Sequence, residues 1–405
     1  MADSPRRWTV TLTPLRLLVV AATVLVLAGA GIATAVLISG KAGSSHKASG
    51  TTTSLPPASS TSTSTTSTQP PAPIHVTSYS PQRGRTGVKG TSGISVTFSA
   101  PIAPGSPMPS LTPSEPGNWT VGGSGHRSVV FVPAVPYLPL TEVTLVVPAG
   151  TKGIRATDGA HMERRLVDKF RIADGSTSRL QQLLSQLDYS PLAFKPTAQP
   201  IAATDATAQR AALFFPPRGT FVWRNRGWPH QLRMLWKAGA YGVMTKGLVM
   251  EFEADHGLFT NGTTSTALWR ALLTALASRE ANTGGYNYAL GDQRQPESLT
   301  IWHDGAVVLH APANTGISQA PTVDGNFPVF GRFRHQVMRG TNPGGSKYAD
   351  PVQYVAYFNG GDAVHYIPRS SYGIPQSLGC IELDLADAAK AWPYLAYGTI
   401  VTVIN

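Results

Sequence analysis

From Ile74 to about Ala173, apolar residues come in short alternating runs broken by Pro and Gly. That pattern confines this part of the chain to strands. Ile94, Val96 and Phe98 alternate, as do Val129 and Phe131, then Val143, Leu145 and Val147. A period of two puts every second side chain on the same face of a sheet. Sustained over about 100 residues, it predicts a β-sandwich. The chain has a single cysteine, so no intrachain disulfide braces the sandwich. Only 14% of residues are charged, with 40 Gly and 33 Pro, which suits strands and loops.

From Ser178 to about Ser278 the period becomes helical. Leu180, Leu183, Leu184 and Leu187 fall at i, i+3, i+4 and i+7. Two further helical stretches flank an Asn261-Gly262 turn. Val249, Phe252 and His256 share one face, and Leu268, Leu272 and Ala275 another. A loop insert is expected around residues 195–230. Glu251/Glu253 and Asp255/His256 have no third ligand at suitable spacing, so they read as a solvated helix face rather than a metal site. From about Tyr286 strands return: Leu299 to Trp302, an Asp304-Gly305 hairpin turn, and Ala306 to Leu309. A helix around 385–392 and a strand over 399–403 close the chain.

The chain begins with a short basic segment, 1–16, carrying Arg6, Arg7 and Arg16. Leu17 to Ile38 then runs without a charge, and as a helix would span about 33 Å, enough for a bilayer core. The arginines place the N-terminus in the cytoplasm. Ala28-Gly29-Ala30 offers the alternative, a cleaved signal peptide. Residues 39–73 are mostly Ser, Thr, Pro and Ala, and are expected to form a disordered stalk. The formal charge of +11 fits an anionic partner or a general basic bias. No Lys/Arg cluster is interleaved with aromatics, so nucleic acid is not an expected partner.

The chemistry is expected around Cys380. Ser377 stands three residues before it, Gly379 is adjacent, and His365 lies fifteen upstream. A thiol becomes a nucleophile with help from a base, most often histidine. A neighbouring glycine lets a carbonyl approach and frees amides for an oxyanion hole. A lone cysteine also occurs as a small buried apolar residue.

This segment resembles the signature of the L,D-transpeptidases, cysteine enzymes that cross-link bacterial peptidoglycan. That signature is a histidine, a spacer, then Ser/Thr-His-Gly-Cys, an aliphatic residue, and Asn or Arg. Here it reads His365, a spacer, then Ser377-Leu378-Gly379-Cys380-Ile381-Glu382. Leu378 replaces the second histidine, and Glu382 replaces the Asn or Arg. Thr322 to Val329 resembles the family's T-P-x-G-x-F-x-V segment, with Val323 in the proline position. Pro351 to His365 resembles the strand leading to the histidine. Residues 74–173 resemble bacterial Ig-like domains, and the two helices around Asn261 resemble a small peptidoglycan-binding module.

The resemblance implies a multidomain chain: a cytoplasmic tail (1–16), a transmembrane anchor (17–38), a stalk (39–73), an Ig-like β-sandwich (74–173), a helical module (174–282), and a mainly-β catalytic domain (283–405). It implies that Cys380 attacks a peptidoglycan tetrapeptide stem, releases D-alanine, and passes the acyl group to another stem. His365 would be the base, oriented by the Tyr366 carbonyl. The amides of Leu378, Gly379 and Cys380 would form the oxyanion hole. Ser377 and Tyr348 would contact substrate, and residues 338–354 would cap the cleft with mobility from Gly344-Gly345. No metal or cofactor is implied. Water as acceptor would make the protein an L,D-carboxypeptidase. A wall-binding protein with a decayed site is the non-enzymatic alternative.

Overall fold

The computed structural model describes residues 71–405. The expected tail and anchor, and all but the end of the expected stalk, lie outside the described residues. Among the described residues, no helix is long and apolar enough to cross a membrane.

The alternating runs form a sandwich of two antiparallel sheets. One contains β1 (Val76–Ser80), β2 (Ile94–Phe98), β4 (Gly117–Gly122) and β5 (Ser128–Pro133), in the order β1-β2-β5-β4. The other contains β3 (Ser110–Thr112), β6 (Glu142–Val147) and β7 (Leu166–Arg171), in the order β3-β6-β7. The inward residues Ile94, Val96, Phe98, Val129, Phe131, Val143, Leu145 and Val147 join one buried core. Burial of this apolar surface holds the two sheets together without a disulfide.

Next come α1 (Thr177–Gln186), α2 (Ala206–Ala212), α3 (His230–Leu235), α4 (Val243–Asp255) and α5 (Thr266–Ser278). Within the expected loop insert runs a two-stranded ribbon, β8 (Leu192–Pro196) and β9 (Gly219–Trp223). Phe194 meets Phe221, and Phe221 meets Trp236, so aromatic packing gives this ribbon the anchor that a bare insert lacks. The expected solvated face of α4 holds at Asp255, which is exposed, and needs correction at Glu253. Glu253 is 2% exposed and accepts hydrogen bonds from the Asn261 and Gly262 amides. Asp255 accepts one from the Tyr189 hydroxyl, and Glu251 from the Asn282 amide. These carboxylates brace turns and neighbouring segments, because donors without partners in a buried turn cost stability.

The helices do not have a core to themselves. Leu180, Leu184, Leu248, Phe252, Trp269 and Leu272 pack in one cluster with Tyr286, just before β10, and with Tyr288 and Ile400 of the following strands. Gly247 of α4 packs against the backbone of Gly398, and a Cβ on either glycine would collide with the other. The sandwich joins this body through Leu138, which lies in the helical core, and through Phe214, which packs against both cores. Arg210 pairs with Glu115 at 2.7 Å, and Trp269 Nε1 donates to Asp174.

The last part has two sheets. The first holds β10 (Asn287–Asp292), β11 (Ser298–His303), β12 (Ala306–Pro312), β13 (Gly325–Pro328) and β18 (Ile400–Ile404), in the order β12-β11-β10-β18-β13. The β11–β12 turn is Asp304-Gly305, both with positive φ (47° and 83°), the twist a two-residue hairpin favours. The second sheet holds β14 (Gly331–Thr341), β15 (Lys347–Asn359), β16 (Asp362–Tyr366) and β17 (Ile381–Leu383), in that order. Leu299, Ile301 and Val401 from one sheet meet Ala356, Phe358, Val364 and Ile381 from the other. The helix α6 (Leu385–Ala391) adds Ala388 and Ala391.

Candidate active site

The second sheet delivers the expected nucleophile and base to one face. β16 and β17 are parallel, with Val364 opposite Ile381 and His365 opposite Glu382. By the period of two, Cys380, Glu382 and His365 face the same way. A cavity of about 580 Å³ opens on that face and is lined by Cys380, His365, Leu378, Tyr348, Arg369 and Asp350, among others. The segment expected to cap it is not a loop. It is the β14–β15 hairpin, closed at Asn342 to Ser346, where the Asn342 amide donates to the Ser346 carbonyl at 2.8 Å. Alternation along both strands explains its order: pairing with Gly331 to Thr341 satisfies the backbone of Lys347 to Tyr357.

The turn before Cys380 is built from inside. The Ser377 hydroxyl donates to the Cys380 carbonyl at 2.6 Å and accepts from the Gly379 amide at 3.2 Å. Thr322 donates to the same carbonyl at 3.4 Å. Ser377 is 1% exposed and does not line the cavity. The expectation that Ser377 contacts substrate is therefore corrected: its two hydrogen bonds shape the turn. The expected oxyanion role of the Gly379 amide is corrected for the same reason. Gly379 has φ +115°, and a Cβ there would collide with the Asp362 carboxylate, so only glycine fits. The amides of Leu378 and Cys380 are not engaged by any side chain or loop carbonyl among the described residues. Tyr348 lines the cavity beside Cys380, and the nearby thiol helps raise its phenol pKa, after desolvation.

The thiol is half-buried, and its Sγ faces the Gly361 carbonyl at 3.9 Å. Desolvation pushes its pKa up to about 12, opposed by the Ala363 backbone and reinforced by Asp362 and Glu382. His365 is 3% exposed, and burial lowers its pKa. At neutral pH the site therefore holds a thiol and a neutral imidazole rather than an ion pair. The Tyr366 backbone and Glu382 pull the histidine pKa upward, but less than burial lowers it. Nδ1 of His365 is enclosed and makes no hydrogen bond among the described residues. The Tyr366 backbone, the expected orienting group, lies against the ring and favours its protonated form.

Glu382 has a cationic partner. Arg369 Nε and Nη2 take its two carboxylate oxygens at 2.8 and 2.5 Å. The pair restores a cation beside the position where the family signature has Asn or Arg, delivered from a different part of the chain. Asn314 was also missed. It is fully buried, exchanges backbone hydrogen bonds with Glu382, and its side chain accepts from the Gly373 amide. Neither residue carries a sequence signal, because each acts through a contact distant in sequence.

These features define a two-sheet domain with a cysteine-lined cavity and an adjacent Ig-like sandwich. The family model described as the L,D-transpeptidase catalytic domain (YkuD) matches residues 288–403, and that of the bacterial Ig-like domain (Big_5) matches residues 70–170. The chain thus carries an L,D-transpeptidase catalytic domain behind a bacterial Ig-like domain. Among solved structures it is similar to L,D-transpeptidase 3 from Mycobacterium tuberculosis: identity 15%, coverage 82% of this chain and 98% of that one, TM-score 0.28. For an L,D-transpeptidase from Mycobacterium smegmatis the values are 13%, 82%, 100% and 0.28. For the catalytic domain of the E. faecium L,D-transpeptidase they are 26%, 29%, 96% and 0.27. No curated protein matches the chain.

Proposed function

We propose that this protein is an L,D-transpeptidase that forms peptidoglycan cross-links through a Cys380 acyl-enzyme. The observation that carries the reading is the placing of Cys380 and His365 on one face of adjacent strands, in one cavity, inside the matched catalytic domain. Cys380 attacks the carbonyl of the third residue of a tetrapeptide stem. His365, in the same cavity, receives the thiol proton as sulfur attacks. The imidazolium then protonates the departing D-alanine amine. The Leu378 and Cys380 amides stabilise the oxyanion, a role that needs no particular side chain at 378. An amine from a second stem resolves the thioester.

The same reading places residues 74–405 outside the cytoplasm, tethered through 17–38 and the Ser/Thr/Pro-rich stalk, with the helices against the wall polymer. The test is intact-mass spectrometry of residues 74–405 after incubation with a disaccharide-tetrapeptide or a carbapenem. A single acyl adduct, absent in Cys380→Ala, is expected. No mass shift in the wild-type protein overturns the enzyme reading.

A further inference from the structure

Behind the Cys380 turn lies a buried charge that no step of the reaction uses. Glu297, just before β11, is 2% exposed. Burial raises its pKa, and the donors that oppose the rise both belong to Thr315 rather than to a basic side chain. A buried carboxylate costs more than an apolar side chain unless it satisfies a donor that lacks another acceptor. Here the donor is the Thr315 amide, 2.6 Å from Glu297 Oε2. Thr315 is fully buried, and its amide has no other acceptor among the described residues. The backbone of Glu297 adds two ties, accepting from the Ala313 amide at 3.0 Å and donating to the Gly373 carbonyl at 2.9 Å.

Residues 313–317 continue β12 as a strap laid along the Cys380 turn, bridged to Ser377 through Gly316 and to Glu382 through Asn314. A trans peptide unit is a rigid plane whose N–H and C=O point opposite ways. The plane joining Asn314 to Thr315 points its N–H at Glu297 and its carbonyl at the Glu382 amide, 2.9 Å away. The plane joining Thr315 to Gly316 presents its carbonyl to the Gln376 and Ser377 amides, both at 2.9 Å, and its N–H to Thr322 Oγ1 at 2.8 Å. That hydroxyl is the one that donates to the Cys380 carbonyl. Tilting either plane therefore moves hydrogen bonds on both sides of Leu378 and Cys380. Gly316 is packed too tightly to absorb such a tilt, since a Cβ there would collide with the Ala320 carbonyl and the Thr322 amide.

Resting on the proposed transpeptidase reading, we infer that Glu297 is a positioning residue for the acylation step: by holding the Thr315 amide it fixes the tilt of the strap and, through the strap, the direction in which the free Leu378 and Cys380 amides point. Glu297 does not line the Cys380 cavity and touches no reacting atom. What it supplies is an acceptor at a set reach, not a charge. A glutamine supplies the same oxygen at the same reach, and its Nε2 can donate to the Thr315 hydroxyl, whose Oγ1 is enclosed without a hydrogen-bond partner. An aspartate keeps the charge but is one methylene shorter, so it meets the Thr315 amide only if the strap moves. Reach and charge are thereby separable at this one position.

The experiment compares the full-length protein with Glu297→Gln and Glu297→Asp. The readout is the saturating rate of acylation by a carbapenem divided by the rate of alkylation by iodoacetamide. Cys380 is the only cysteine, so both reagents report on one sulfur. In alkylation a C–S bond forms, iodide leaves and the thiol proton goes to His365, but no oxyanion develops. Changes in thiol access or in the base therefore cancel in the ratio, and changes in the oxyanion amides do not. Glu297→Asp is expected to lower the ratio about tenfold or more at unchanged KM, as small displacements of an oxyanion donor do. Glu297→Gln is expected to stay within about threefold of the wild-type ratio, since the acceptor keeps its place. Ser185→Ala, which removes a buried hydroxyl bonded to Leu192 and Phe194 in the helical part, is the control: it is expected to lower the melting temperature and leave the ratio alone. An unchanged ratio in Glu297→Asp, a Glu297→Gln that falls as far as Glu297→Asp, or an equal fall in Ser185→Ala overturns this inference alone. A wild-type protein that forms no acyl adduct overturns the proposed function and this inference with it.

Discussion

Glu382 stands directly opposite His365 in the parallel ladder of β16 and β17, with Arg369 holding both of its carboxylate oxygens. The cavity face therefore carries a carboxylate that is paired with a guanidinium. Its negative charge still pulls the His365 pKa up and adds to the rise at Cys380.

From this pairing follows a ranking of acylation rates. His365→Ala is expected to lose at least 100-fold, since positioned proton transfer contributes about 10²–10⁴-fold. Leu378→Ala keeps most activity, because only its backbone is assigned a role. Glu382→Gln keeps the reaction but loses about 2–3 kcal/mol of stability, as removing one partner of a largely buried pair is costly and Arg369 is partly solvated. Stopped-flow acylation and thermal melts of the three variants check this. Equal losses in Leu378→Ala and His365→Ala, with folding intact, would falsify the assignment at 378.

The pH profile should lack an ordinary thiol limb. Cys380 stays protonated up to about 12, and His365, with its pKa lowered from 6.5, stays neutral above that value. Acylation should fall only on the acid side, below about 6.5, and stay flat through pH 7–9. The stability sign runs the same way. The unfolded histidine binds a proton below its ordinary value that the buried one resists, so stability falls as pH drops from 6.5 toward the lowered folded value. A rate that climbs across pH 8–9 would show that the thiolate is the reacting form. Rate–pH curves and melts between pH 4 and 10 give both answers.

Ser377→Ala should cost about 1–3 kcal/mol, because the Gly379 amide loses its acceptor in a buried turn. Gly379→Ala should be worse, combining a φ of +115° with a collision at Asp362. For both, acylation should fall through a lower rate at saturation rather than weaker binding, since neither side chain faces the cavity. Saturation kinetics with a carbapenem separate the two effects.

A catalytic fragment beginning at residue 283 should fold poorly. It would expose Tyr286, Tyr288 and Ile400, which are 3%, 0% and 0% exposed in the whole protein. Residues 174–405 should be markedly more stable than 283–405 in denaturant melts. Equal midpoints would show that the shared cluster adds nothing.

What was legible in the sequence followed local period. The sandwich positions from Ile94 to Val147, and the helix faces with Phe252 and Leu268, are buried where alternation and the helical repeat put them. The Asp304-Gly305 turn was readable because its backbone demands those residues. Cys380, His365 and Leu378, which line one cavity, were singled out by motif resemblance, not by period. The rest depends on contacts between distant segments. Nothing in the sequence marks Arg369 as the partner of Glu382. The inward role of Ser377 was hidden because a hydroxyl beside a reactive cysteine reads equally well as facing the ligand. Glu253 misled because charges on a helix usually face water, and only the fold reveals the amides it caps.

Leu138 and Phe214 tie the sandwich to the helices, and Tyr288 and Ile400 tie the helices to the catalytic sheets. The Gly247–Gly398 contact leaves no room between α4 and the turn before β18. A pull on the N-terminal side of the sandwich is therefore borne by the same packed side chains that support β10 and β18, with no slack linker to absorb it. The described part of this protein is one packed body: wherever its leading end is held, the Cys380 sulfur keeps a set standoff from it.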